Sequence, residues 1–187
     1  MQIDSNSNDF FKLTEEEKML TMSKYAPLNV KANEFFLKIG QISSQIGFVT
    51  KGLLRSYFYD DKANEITTAF YPEGSLILSA NSFNNRVPAK ESIVAIEDSE
   101  LMVISYESQK ELYELIPTWN AICKNMADNN GNILLERATQ FQTMSATERY
   151  EKFCRERKDI LQRVTLGHIA SYIGIDIATL SRIRKKK

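Results

Sequence analysis

Residues 164–184 read VTLGHIASYIGIDIATLSRIR, and this segment gives the most specific indication of the fold. Thr165 is a typical helix N-cap, and the residues after it keep helical apolar spacing. Gly174 stands where that helix has to end, at a position that favours left-handed backbone. Asp176 is a second N-cap, and Leu180 gives the following helix an inward face. Two short helices joined by a tight glycine turn predict a helix-turn-helix unit.

The second of these helices has a basic outward face, and in such a unit that face enters the DNA major groove. Arg182 is the candidate for a bidentate contact with guanine, whereas the hydroxyl and terminal basic side chains are candidates for phosphate contacts. His168 is expected to lie at the surface or contact the DNA backbone, rather than act as a catalyst or metal ligand. The predicted DNA-binding residues are Thr165, His168, Asp176, Ile177, Ala178, Thr179, Ser181, Arg182, Arg184 and Lys185. Lys186 and Lys187 are further phosphate candidates, with a frayed, solvated end as the alternative.

The charge distribution supports this interpretation. Residues 149–187 carry 11 Lys and Arg against 4 Asp and Glu, whereas residues 1–148 carry 13 against 20. An acidic body joined to a short basic module indicates a nucleic-acid partner, and a solvated basic tail is the alternative.

The rest of the chain predicts a β-rich body followed by helices. Residues 9–28 have a helical pattern capped by Thr14 and ended by Pro27. From 33 to 105, short β-rich runs separated by turn signals favour an antiparallel sandwich or small barrel. A helix capped by Ser145 or Thr147 leads into the helix-turn-helix. The predicted domains are a sensor body over 1–116, a long helix over 117–144 and a DNA-binding domain over 145–187, which gives an α+β fold.

The long helix is expected to form a dimer seam. Its ~27 residues span about 40 Å, more than a small domain needs for its own core. Apolar residues at three- and four-residue steps favour packing against the same helix of a second subunit, and packing within one chain is the alternative. The predicted seam residues are Ile122, Met126, Ile133, Arg137 and Phe141.

The chain resembles the Crp/Fnr family of bacterial transcription regulators over nearly its whole length. The resemblance is carried by FVTKGLLRSYFYD, FYPEGSLI with Gly74, ESIVAIEDSELMVISYE and VTLGHIASYIGIDIATLSRIR, the last being the most specific. It implies an N-terminal β-roll sensor (a double-stranded β-helix like the cyclic-nucleotide-binding domain) and a homodimer on the long helix. It also implies a palindromic operator with half-sites one DNA turn apart, and contact with RNA polymerase.

The resemblance fails at the residues that would bind a cyclic nucleotide. The family's ribose-binding glutamate falls on Ser79, and its phosphate-binding Arg-Ser pair falls on Ala89 and Lys90. Two hydroxyl residues that contact the base fall on Leu134 and Leu135. A buried phosphate needs a charge-assisted, preferably bidentate partner, so cyclic AMP is not expected to bind. The predicted effector pocket, for an unidentified small molecule or none, comprises Gly74, Ser75, Leu76, Ile77, Ser79, Ala89, Lys90 and Leu134.

Ile177 and Ala178 stand where the best-known members of the family have an Arg-Glu pair, so the operator sequence is expected to differ from theirs.

Other functional classes find little support. Cys123 and Cys154 are expected to be reduced thiols of a cytoplasmic protein, and no cofactor, metal or membrane segment is predicted. No glycine-rich phosphate loop or nucleophile motif suggests an enzyme. The alternative function is an effector-binding or interaction module that does not bind DNA.

Overall fold

The computed structural model describes residues 12–185. The first residues of the helix expected over 9–28, and the phosphate candidates Lys186 and Lys187, lie outside this range. The strands are β1 Ala26–Val30, β2 Phe35–Leu37, β3 Gln45–Lys51, β4 Leu54–Tyr59, β5 Glu65–Tyr71, β6 Leu76–Ile77, β7 Ser92–Ala95 and β8 Ser99–Ser105. The helices are α1 Glu15–Ser23, α2 Ala80–Asn85, α3 Tyr106–Leu115, α4 Pro117–Thr143, α5 Ala146–Glu156, α6 Lys158–Leu161, α7 Leu166–Tyr172 and α8 Ile177–Lys185.

The strands form the expected antiparallel β-roll. One four-stranded sheet has the order β1-β8-β3-β6 and the other has the order β2-β7-β4-β5. Alternating apolar residues from both sheets meet in the roll core, which includes Val49, Leu54, Ile77, Ile93 and Leu101. The two sheets thus bury one face each, and their outer faces are free to carry the helices.

The N-terminal helix is shorter than the sequence suggested. Thr14 caps α1 in a capping box with Glu17, as expected. The prediction that Pro27 ends the helix is wrong: α1 ends at Ser23, and Pro27 lies in β1, opposite Met102 of β8. Proline is tolerated there because β1 is an edge strand, where one side of the backbone needs no partner.

The short helix α2 was not expected, because residues 80–85 (ANSFNN) contain asparagines, which are weak helix formers. Tertiary contacts hold it: Phe83 is buried, and the hydroxyl of buried Ser82 accepts a hydrogen bond from the Ser43 backbone. The helix ends at Arg86, whose φ of 54° is left-handed. The start of α2 lines a cavity in the roll, which is described below.

The long helix α4 begins at Pro117, a favoured first-turn residue, and runs for 27 residues. Its first turns pack on the roll of the same chain, where Trp119 and Ile122 are buried and Met126 is partly buried. The sequence-based seam is therefore wrong for Ile122, and Met126 packs mainly within its own chain. The apolar spacing in the first turns of α4 thus reflects packing on the roll, whereas Ile133 and Phe141 further along the helix are 50% and 42% exposed.

Candidate nucleic-acid interface

The C-terminal helices form a helix-turn-helix, and N-cap side chains and a glycine turn set where its helices begin and end. Ser145, rather than Thr147, caps α5 in a capping box with Glu148. The Thr165 hydroxyl accepts from the His168 backbone and starts α7. Gly174 has φ of 70°, and the Ile175 backbone donates back to the Ala170 carbonyl at 3.0 Å. This αL turn is the one that the glycine predicted.

The second helix of the unit, α8, is capped by Asp176, whose Oδ1 accepts from the Thr179 backbone at 2.7 Å. Its Oδ2 accepts from the Thr179 hydroxyl at 2.7 Å. These bonds, the hydroxyl one first, lower the pKa of Asp176 and keep it ionised at neutral pH. Asp176 was predicted both as a cap and as a DNA-binding residue, and the structure engages its side chain as the cap.

The outward face of α8 is open. Leu180 is buried beneath the helix, while Ile177 in its first turn is 56% exposed. The other exposed residues of α8 are Ala178, Ser181, Arg182, Arg184 and Lys185. The Arg182 guanidinium donates to the Thr179 hydroxyl at 3.0 Å, so it lies along its own helix.

Gly174 also lets the unit approach α4 closely. A Cβ at this position would lie 2.5 Å from Cε1 of Phe141. Phe141 in turn lies under the Arg149 guanidinium, 5.1 Å from the ring centroid, and Arg149 Nε donates to the Ile173 carbonyl at 2.9 Å. The end of α4 is thus fitted to the turn, which links the long helix to the position of α8.

Gly174→Ala should therefore destabilise the protein. A left-handed alanine costs roughly 1–2 kcal/mol, and the contact with Phe141 adds to that cost. The matched control is Gly167→Ala in α7, where the nearest atom to a new Cβ is 3.8 Å away and alanine favours the helix by up to about 1 kcal/mol. Urea denaturation measures both. Equal destabilisation by the two substitutions would contradict this role for Gly174.

The first helix of the unit, α7, rests on the roll. The Ser171 hydroxyl donates to Thr67 Oγ1 of β5 at 2.8 Å and accepts from the Thr67 backbone at 3.2 Å. Beside it, Phe70 of β5 packs with Tyr172 and Phe153 at centroid distances of 5.2 and 6.3 Å. The core of the helix-turn-helix is therefore shared with the outer face of the roll.

His168 lies on this inner side of the unit. Its ring is half-buried, and its buried Nδ1 has no hydrogen-bond partner within the described part of the chain. Burial, followed by the nearby Arg55 charge, lowers the pKa of His168, so the ring is neutral at neutral pH. This surrounding does not favour the DNA contact predicted for His168.

Arg137 joins three parts of the structure. It was expected in the dimer seam, but its guanidinium turns into its own chain and donates to the Thr68 carbonyl of β5 and, at 2.9 Å, to the Tyr172 carbonyl of α7. The guanidinium also lies 4.2 Å from the centroid of the Tyr172 ring. Arg137 therefore fixes the angle between α4, the roll and the helix-turn-helix, and the seam prediction is wrong for it.

Arg163 forms a second link, an ion-pair clamp that the sequence did not reveal. Its two terminal nitrogens donate to the two carboxylate oxygens of Glu73 at 2.9 Å each, and the guanidinium also pairs with Glu97. The Gly52 backbone donates to Glu73 as well. The Arg163 contact lowers the pKa of Glu73 to about 2, so this carboxylate is ionised at neutral pH. It ties the segment before α7 to two turns of the roll.

The roll also contains a cavity of about 510 Å³. Its lining residues come from the end of β4, the start of α2 and the segment before β7: Phe58, Tyr59, Ser79, Asn81, Ser82, Ala89, Lys90 and Glu91. Ser79, Ala89 and Lys90 were predicted pocket residues, and the structure brings them together. Gly74, Ser75, Leu76 and Ile77 belong to the preceding turn and β6 and are not in the lining; Leu134 is exposed on α4.

A line of contacts joins this cavity to α7. The hydroxyls of Tyr59 and Tyr57 lie 3.5 Å apart, and the Arg55 guanidinium lies 4.4 Å from the Tyr57 ring centroid. Arg55 then donates to Thr67 Oγ1 at 3.1 Å, the same oxygen that meets Ser171 of α7. The cavity wall and the helix-turn-helix are therefore in continuous contact along β4 and β5.

Within residues 12–185, no cluster of three or more His, Cys, Asp or Glu side chains is arranged to hold a metal ion. Over the same residues, no helix is long and apolar enough to cross a membrane.

Comparison with known proteins agrees with this architecture. Residues 27–115 match the family described as cyclic nucleotide-binding domain. Among solved structures, FixK2 from Bradyrhizobium japonicum is 16% identical with a TM-score of 0.75, and the alignment covers 87% of this chain and 83% of that one. A Eubacterium rectale protein described as a transcriptional regulator of the Crp/Fnr family is 19% identical with a TM-score of 0.75, covering 95% and 84%. The Thermus thermophilus catabolite activator protein is 21% identical with a TM-score of 0.61, covering 96% and 86%. No curated protein matches the chain by sequence.

The described chain is thus a β-roll joined by a long helix to a helix-turn-helix. Residues 27–115 match the cyclic nucleotide-binding domain family, and the fold of the chain is similar to that of FixK2 and of the Eubacterium rectale protein. The domain match and the fold together support the resemblance to Crp/Fnr regulators drawn from the sequence.

Proposed function

We propose that the protein is a sequence-specific DNA-binding regulator of the Crp/Fnr type that acts as a homodimer in the cytoplasm. The observation that carries the proposal is the exposed face of α8, which presents Arg182, Arg184 and Lys185 from a capped helix-turn-helix. Arg182 reads a base edge and Arg184 and Lys185 hold phosphates. Contact with RNA polymerase would convert binding into regulation.

The homodimer in this proposal uses the uncovered side of α4. Leu134 and Leu135 are 57% and 67% exposed, although leucine is a residue that folding normally buries. Ala138 lies four positions after Leu134, on the same helix face, and its small side chain allows close approach of a second helix. Ile133 and Phe141, from the seam expected from sequence, are also exposed. Against a second copy, these residues form an interface that the single chain leaves open.

Cyclic AMP is not the effector in this proposal. The Ala89 side chain is buried at the position where the family's binders place the arginine for the cyclic phosphate. Glu91, a carboxylate, lines the same cavity and opposes an anion. A phosphate there would have Lys90 as the one cation among the lining residues, without a bidentate partner.

Electrophoretic retardation over a range of salt concentrations tests DNA binding directly. Each phosphate neutralised adds about 0.9 to the slope of log affinity against log salt, so a dimer with several contacts should show a steep dependence. The absence of retardation at low salt would contradict the proposal and favour a module that does not bind DNA.

A further inference from the structure

The cavity of the roll combines two opposite charges with an aromatic wall. Its volume of about 510 Å³ lies within the range of pockets that bind small molecules. Phe58 and Tyr59, at the end of β4, are among its lining residues and are 40% and 46% exposed. Lys90 and Glu91 line the cavity as well.

The two charges do not neutralise each other. Among residues 12–185, neither Lys90 nor Glu91 takes part in an ion pair. Lys90 is exposed, whereas Glu91 is half-buried and lines the cavity together with Ser79. Burial raises the pKa of Glu91, which reflects the cost of holding a carboxylate there without a cation.

This arrangement selects the charge pattern of a ligand. An ammonium group at Glu91 would offset the desolvation of the carboxylate and could also accept contact with the faces of the aromatic rings. A carboxylate at Lys90 would pair with the free ammonium at the rim. A ligand with a single charge would leave one of the two side chains uncompensated.

We propose that the cavity binds a free α-amino acid with an apolar side chain. The ammonium group of the amino acid contacts Glu91 and Ser79, its carboxylate contacts Lys90, and its side chain packs against Phe58 and Tyr59. Binding also places the ligand against Tyr59, at the start of the contacts that reach Ser171 of α7. The inference deepens the proposed function, and its regulatory meaning rests on that function.

Thermal denaturation and calorimetric titration of the full-length protein, without DNA, test this site. The probes are the twenty standard amino acids, phenethylamine as the ammonium alone, 3-phenylpropionate as the carboxylate alone, and cyclic AMP. At least one apolar amino acid should raise the melting temperature, and the two single-charge probes should bind more than tenfold more weakly than it does, because each lacks one charge-assisted contact.

Substitutions then locate the ligand. Glu91→Gln and Lys90→Met should each weaken binding of the amino acid by about tenfold or more. Lys62→Met and Glu107→Gln are matched controls at exposed positions outside the cavity and should leave binding unchanged. If Glu91→Gln does not fold, Ser79→Ala removes the lining hydroxyl that the proposal places at the ammonium group of the ligand, and it should still weaken binding.

Three results would overturn the inference: no shift with any of the twenty amino acids, equal binding of phenethylamine, or full binding by the folded cavity variants. Because the assay contains no DNA, a failure here leaves the proposed DNA binding untouched. Conversely, loss of DNA retardation would not alter the result of the titration.

Discussion

Replacing Leu134 with glutamate should yield a folded monomer that has lost most of its affinity for a two-half-site operator. Because Leu134 is exposed in the single chain, a glutamate at this position should cost little folding free energy. In the interface between two α4 helices, however, its carboxylate would be buried without a partner. When the two recognition units are no longer linked, affinity should fall by about 100-fold or more, because the second half-site is no longer bound at high effective concentration.

Sedimentation and operator titration measure the two consequences of Leu134→Glu together. Asn132→Glu is the matched control, because it adds the same charge to the same helix at an exposed polar position. The control should remain dimeric and bind normally. A Leu134→Glu protein that stays dimeric would place the interface elsewhere on the molecule.

Arg182→Ala should abolish the preference for one particular base at one position in each half-site of the operator. Loss of a bidentate contact costs about 1–3 kcal/mol, and a symmetric dimer loses two of them. Lys185→Ala, three positions further along α8, is the comparison, since loss of a phosphate contact should weaken operator and random DNA alike and reduce the salt slope.

Titrations with the operator, with operators carrying single base changes and with random DNA separate these roles. For Arg182→Ala, substitutions at the position that it reads should no longer matter, while the other positions keep their cost. A uniform loss on all sequences would show that Arg182 contacts phosphate and would require another residue of α8 to read the bases.

The local parts of the candidate site could be predicted from the sequence. Thr165, Gly174 and Asp176 act within a few residues of their own positions, as caps and a turn, and the structure contains all three interactions. The exposed face of α8 follows equally from helical spacing once the inward Leu180 is identified. The strand and turn pattern predicted an antiparallel sandwich or small barrel, and the resemblance to the Crp/Fnr family implied the roll.

The contacts between distant segments could not be predicted. The partners of Arg163 are Glu73 and Glu97, on turns of the roll, and nothing near Arg163 in the sequence distinguishes it from a solvated arginine. Likewise, the apolar periodicity of α4 does not say which stripe packs on its own roll. Ile122 has the spacing of a seam residue, but in the structure it is buried against the roll of its own chain.

Selecting DNA bound by the protein from a random pool tests whether two copies of α8 read a palindromic operator. We expect enrichment of an inverted repeat whose half-sites are centred about one helical turn, roughly 34 Å, apart. We also expect that the Arg182→Ala protein enriches the same repeat with one position per half-site degenerate. A pool that shows no enrichment, or an enriched sequence without two-fold symmetry, would contradict the proposal.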